Sequence, residues 1–387
     1  MNVFDFCIPT NLKFGIDVIN RLGNVVVELV DPNSTPRVLL VTEGVLYESG
    51  SIKRIKDILI KKGCDPIIFD DIVLNAASDV VDDGAKRART SHSNVVVGLG
   101  GVRALSIAKG IAMLAANDGE IVDYIEGKIP EKESIPYIEI PSTPRSPFMF
   151  RDEFWITDVR NRNSYILPVK KGTTKYALFD PMITTTLTRR LTATTAIDIM
   201  ANAYEGYVST KSNFLSDTLF LKALELINNN IFNAANNLND VTSRANLSLA
   251  GFLSSLGLSM TSTGITAALS YVLSSKFKIH KSLSSGILLP RVMDYNINAV
   301  PAKYVKIAQV LGENTEDLSV LEAALKAIEK VRKIVLELQL PTRLEEFQIT
   351  RDDIVNVAED ARKFSMFNYI PRSCDTEELI AILQSAY

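Results

Sequence analysis

Two kinds of hydrophobic patterning divide this chain, and the change between them near Asp180 and Pro181 constrains its fold more than any other feature. Before that point, short runs rich in β-branched residues recur at 37–42 (RVLLVT), 66–70 (PIIFD), 94–98 (NVVVG) and 137–141 (YIEIP), with longer helical patterns between them. Continuous apolar runs without polar alternation suit parallel strands covered on both faces, and helices between such strands make βαβ units. After Asp180 the runs largely stop. Leu219, Phe220, Ala223, Leu224, Ile227 and Ile231 then recur at spacings of three and four, as do Leu321, Leu325, Ile328, Val331 and Val335. Each set predicts one apolar helix face. Pro341 ends the second pattern, and Thr350 followed by Asp352 and Asp353 marks a further helix start. The expected fold is therefore an α/β Rossmann-like domain over residues 1–180 and an all-α domain over residues 181–387.

Composition narrows the function classes. With 42 Lys and Arg against 45 Asp and Glu, the net charge of -3 lacks the basic excess that draws a protein onto nucleic acid. Three cysteines, Cys7, Cys64 and Cys374, stand far apart with no CxxC spacing, which fits a reducing, cytoplasmic setting. The opening residues show no basic segment leading into an apolar run, so no signal peptide is expected. Residues 245–275 contain no charged side chain, but 11 of those 31 positions are Ser or Thr. That content predicts small-residue helices packed in a soluble core rather than a membrane span.

The segment VGLGGVRALSIAK at 97–109 passes from a strand through glycines into a helix. Glycines there let a phosphate approach the positive helix end. The spacing is not GxGxxG, because Arg103 stands where the third glycine would be, and two readings stay open: a phosphate site, or a tight turn without a ligand. Glu43, following Thr42 at the end of the 37–42 run, could accept from ribose hydroxyls and repel a 2′-phosphate, or could be a solvated loop residue.

Joined to FDPMITTTL at 179–187, LTATTAIDIMANAYEGYVS at 191–209 and SGILLPRVMDYN at 285–296, these pieces resemble the group III, iron-containing alcohol dehydrogenase family in order and spacing. Residues 13–15 (KFG), 154–158 (FWITD) and the pair Pro371 and Arg372 extend the resemblance over essentially the whole chain. It implies the dehydroquinate-synthase-like fold, a nucleotide domain followed by a helical metal domain, with hydride moving in the cleft between an alcohol or aldehyde and a nicotinamide. It further implies NAD(H) or NADP(H), with NAD favoured, held by Thr42, Glu43, Gly100, Gly101, Val102, Arg103, Ser142, Thr143, Arg145, Ser146 and Phe179.

The catalytic motifs depart from that family. Its phosphate motif GGGSxxDxAK aligns with 100–109, so Val102, Arg103 and Ser106 replace a glycine, the serine and the aspartate, and Val102 is expected to crowd a pyrophosphate. The loop TTxGTGSE aligns with STPRSPFM at 142–149, whose two prolines remove amide donors. Arg103 and Arg145 offer guanidinium forks in compensation. The family's divalent metal, iron or zinc, is held by one aspartate and three histidines. Here the aspartate is Asp198, but the other positions are Asn202, Ala267 and Lys281. Only His92 and His280 exist in the chain, so the ligand set that can be assembled is Asp198, Asn202 and His280, the last one residue out of register.

Lys281 could place an ammonium where the cation would sit and pair with Asp198, either polarising a substrate carbonyl or only neutralising a buried acid. The leading expectation is an NAD(P)-dependent alcohol dehydrogenase or aldehyde reductase with a degenerate metal site, Asp198 and Lys281 being its catalytic candidates. The alternative is a non-catalytic or regulatory paralogue that binds a nucleotide or other anion in the cleft. A metal-free lyase or synthase would draw its base from Lys281, Asp198, Glu205 or Tyr204. Expected partners are a small alcohol, aldehyde or other small ligand, and a second copy or an active paralogue in an oligomer; no nucleic acid or membrane is expected.

Overall fold

The computed structural model describes residue 4, residues 6–72 and residues 76–387, and it divides into two compact units, Cys7–Thr186 and Leu187–Tyr387. Residues 1–3 and 5, part of the opening stretch read for a leader, lie outside the described residues.

The first unit contains strands β1 (Asn11–Phe14), β2 (Arg37–Thr42), β3 (Asp65–Phe69), β4 (Val95–Gly100), β5 (Tyr137–Pro141), β6 (Glu153–Thr157), β7 (Ser164–Pro168) and β8 (Thr174–Phe179). Its helices are α1 (Leu22–Leu29), α2 (Ser51–Lys61), α3 (Ser78–Thr90), α4 (Val102–Ala116) and α5 (Ile121–Ile125). Six strands form one sheet in the order β1-β8-β5-β4-β2-β3, every neighbouring pair parallel, while β6 and β7 make a separate antiparallel hairpin. The sheet is covered on both faces. Val38, Leu40, Val95, Val97 and Leu99 pack with Val25, Val26, Ile55 and Leu59 of α1 and α2 in one cluster. On the opposite face, a Cβ on Gly98 would lie 2.8 Å from that of Ala108, so α4 closes directly onto β4. Such two-sided burial is why β4 carries no polar alternation.

This unit runs past Asp180 and Pro181 to Thr186, because Asp180 is tied into it: its carboxylate accepts from Ile19 N at 3.3 Å and from Met182 N at 3.0 Å. The three-ten turn Pro181–Thr186 follows from there.

The second unit is all-helical: α6 (Arg189–Val208), α7 (Phe214–Asn236), α8 (Val241–Leu258), α9 (Ile265–Phe277), α10 (Lys281–Asn296), α11 (Pro301–Val310), α12 (Val320–Glu337), α13 (Arg351–Ala361) and α14 (Thr376–Ser385). From Thr192 to Val208 every residue of α6 is buried, so it is the central helix around which the others pack. On α7 the expected face holds, with Phe220, Ala223, Leu224, Ile227 and Ile231 all buried. Thr350 caps α13 by accepting from Asp353 N at 3.3 Å.

The expected face of α12 is rotated. Leu321 and Leu325 are 48% and 42% exposed, and Ala324, Ala327, Ile328, Val331, Ile334 and Val335 are buried instead. Small alanines allow a closer helix approach than leucines, and the buried stripe follows them. No helix among the described residues is long and apolar enough to cross a membrane.

Gly206 of α6 and Gly257 of α8 hold the buried Phe220 ring between them; a Cβ on Gly257 would lie 2.6 Å from that ring. Gly206→Ala gains about 1 kcal/mol of helix propensity but overpacks a buried ring wedged against Gly257, at about 1–3 kcal/mol. Net destabilisation is expected in urea unfolding, and a variant at least as stable as the parent would show that the ring can yield.

Candidate functional site

In the α/β unit, β2 leads to β3 on one side while β4 returns on the other, so the order reverses between β2 and β4. Crevices at such a switch point, beyond the carboxyl ends of the strands, are where open α/β sheets bind ligands. Thr42 pairs in register with Leu99, which brings Glu43 to Gly100 and Gly101. Glu43 Oε2 accepts from the Gly101 amide at 3.4 Å, and Glu43 Oε1 accepts from Arg103 at 3.3 Å. Gly100 has φ +156°, and a Cβ there would lie 2.6 Å from that of Ala104 and 3.5 Å from Glu43 Oε2. A side chain at 100 would therefore be strained and would fill the turn. Gly101 caps α4, with Thr143 Cγ2 3.7 Å from the place of its absent Cβ. Thr42 is fully buried and its hydroxyl makes no hydrogen bond. Thr42, Glu43, Gly100, Gly101, Arg103 and Thr143 thus come together.

Val102, expected to crowd a pyrophosphate, turns its side chain into the core. It is the first residue of α4, has no positive φ and is 3% exposed, so its side chain is spent on packing. The loop 142–149 is held to the sheet by Ser142 N donating to Gly100 O at 2.9 Å. Lys109 is buried beneath it and donates to Phe148 O at 2.5 Å and Arg151 O at 3.2 Å. Burial pulls that ammonium below its ordinary pKa and pushes the Glu139 carboxyl above its own, against the attraction between them. Ser146 donates to Glu139, so its hydroxyl points under the loop, and Arg145 is buried as well. Phe179, expected beside the cofactor, is fully buried with its ring 5.7 Å from that of Phe14, and packs the edge of the sheet.

In the helical unit, Asp198 sits in the middle of α6 with no exposed surface. Lys281, the first residue of α10, donates from Nζ to Asp198 Oδ1 at 2.9 Å and lies 4.9 Å from the Tyr271 ring centroid. Ser285, one turn further along α10, donates to the same carboxylate oxygen and lies 3.2 Å from Ser270 of α9. Asn202 and Ala267 are buried. Spacing alone could have found Ser285, four residues after Lys281 on one helix face; Tyr271 follows Ala267 by the same interval.

His280 is not brought to Asp198. It is exposed at the start of α10, its Nδ1 3.5 Å from Ser282 Oγ, and the next residue takes the inward position. His92 is exposed in the turn after α3 with φ +51°. Among the described residues no three His, Cys, Asp or Glu side chains group so as to hold a metal ion. An ammonium and a hydroxyl hydrogen-bond Asp198 where the family's metal would sit, which does not fit its iron or zinc.

Two candidate bases are engaged structurally. Glu205 accepts from the amides of Gly264 at 2.8 Å, Thr266 at 2.5 Å and Ala267 at 3.2 Å, and so caps α9. Burial pushes its carboxyl above the usual range, against the pull of those donors. Tyr204 hydrogen-bonds Tyr304 at 2.5 Å and accepts from Asn296 at 3.2 Å, and burial raises its phenol.

Comparison with known proteins matches residues 9–181 to the iron-containing alcohol dehydrogenase model and residues 192–387 to the C-terminal model of the Fe-containing alcohol dehydrogenase family. A 1,3-propanediol dehydrogenase of Citrobacter freundii is 25% identical over 100% of this chain and 99% of its own length. An NAD-dependent methanol dehydrogenase of Bacillus methanolicus is 24% identical over 99% of each. The crystal structure of a 1,3-propanediol oxidoreductase superposes with a TM-score of 0.94 at 25% identity, covering 100% of both chains.

Proposed function

The chain belongs to the iron-containing alcohol dehydrogenase family, and from that premise we propose that it is a nicotinamide-dependent oxidoreductase interconverting small alcohols and aldehydes or ketones. One observation carries the cofactor reading: Glu43 and the Gly100–Gly101 turn meet at the switch point between β2 and β4, at the N-terminus of α4. A glycine turn at a helix N-terminus supports a pyrophosphate there. The Glu43 carboxylate, held by the Gly101 amide and Arg103, supports contact with ribose hydroxyls and a preference for NAD over NADP. The NAD-dependent relative among the similar proteins agrees with that preference. Three unpaired cysteines, two of them buried, suit the reducing cytoplasm.

A reduced nicotinamide, when bound, supplies a hydride to the substrate carbonyl carbon. The chain's part that its residues support is to bind the nucleotide through its α/β unit. A second reading, favoured by the absence of a metal-ligand set around Asp198, is a nucleotide-binding scaffold without turnover.

A titration of the purified protein with NADH and NADPH tests this. Saturable NADH binding in the micromolar range, about -8 kcal/mol, is expected, with NADPH weaker. Glu43→Gln should narrow the difference by about tenfold, equal to roughly 1.4 kcal/mol. Absence of binding by either nucleotide would sink the oxidoreductase reading, and binding without turnover of any aldehyde would favour the second.

A further inference from the structure

We propose that Lys281 is this chain's own cation: its ammonium stands at the position where the family carries a metal ligand and keeps a divalent ion out of the helical unit. The inference goes beyond the oxidoreductase reading above and stands without it.

Three features carry it. First, the charge is fixed in place. Asp198 is held from α10 by both Lys281 and Ser285, and Ser285 is in turn within hydrogen-bond distance of Ser270 on α9. The face of Tyr271, 4.9 Å from Nζ, adds a neutral partner that favours a cation. Second, the arrangement excludes a metal. A divalent ion on the Asp198 carboxylate would lie against the ammonium in a buried site, where like charges are poorly screened. Asn202 and Ala267 offer one weak ligand and none, and His280 is exposed. Third, stability does not explain the pair. Lys281 is 4% exposed and Asp198 fully buried, and an apolar pair of similar volume commonly matches or exceeds a buried ion pair in stability.

The test is metal binding. Wild-type protein dialysed against EDTA should show no zinc binding by calorimetry and no zinc-induced thermal shift, whereas Asn202→His/Ala267→His/Lys281→His should bind zinc stoichiometrically. Tight stoichiometric zinc binding by the wild type, abolished in Asp198→Asn, would overturn the proposal.

Discussion

Lys281→Met alone is expected to cost about 3–5 kcal/mol of folding stability, the range measured when one partner of a buried ion pair is removed. The cause is the carboxylate left behind. Asp198 has no exposed surface, and it loses the ammonium 2.9 Å away while keeping the Ser285 hydroxyl. A neutral hydrogen bond does not replace the lost solvation of a charge. Asp198→Asn/Lys281→Met should recover most of the loss, because an amide and a thioether carry no net charge into the site. The contrast between single and double variants in urea unfolding is the informative quantity. Since the pair is shielded from solvent, the difference should change little with added salt. A single variant as stable as the wild type would mean that Asp198 escapes to water or takes up a proton at little cost.

Glu205→Ala should cost about 3 kcal/mol, from the loss of a helix cap together with buried amides left without an acceptor. Gly264, Thr266 and Ala267 all donate to this one carboxylate, at the point where α9 begins. Glu205→Gln is a sharper probe, because its volume is unchanged. It keeps one acceptor oxygen but turns an NH2 group toward backbone N–H donors, so it should recover only part of the loss. Amide hydrogen exchange should localise the effect to the first turn of α9. If exchange there stayed as slow as in the parent, the capping role would be wrong. Because Ala267 and Ser270 lie on that helix, loosening its start should also disturb the support of Asp198.

Local signals in the chain were sufficient for the four strands β2 to β5 and for the change to helix near Asp180, but not for β1, β8 or the β6–β7 hairpin. Apolar runs without alternation become strands buried from both sides, Gly100 and Gly101 sit at the turn from β4 into α4, and Thr350 caps α13, since each depends on neighbours within a few residues. The motif order that resembles the iron-containing alcohol dehydrogenases is likewise a property of the linear sequence, and the family matches agree with it. Periodicity was less decisive on α12, where leucines and alanines offer competing stripes and packing against neighbouring helices selected the one with alanines. Val102 and Phe179 are assigned by motif to the cofactor, yet their side chains are consumed by the core. Tertiary structure alone decided the charge arrangement: Lys281 reaches Asp198 across 83 residues and Glu205 reaches Gly264 across 59. Spacing along a helix fixes which side chains share a face, but which faces meet depends on closing loops much longer than a turn. It was that closure which gave the inward position to Lys281 and left His280 outside.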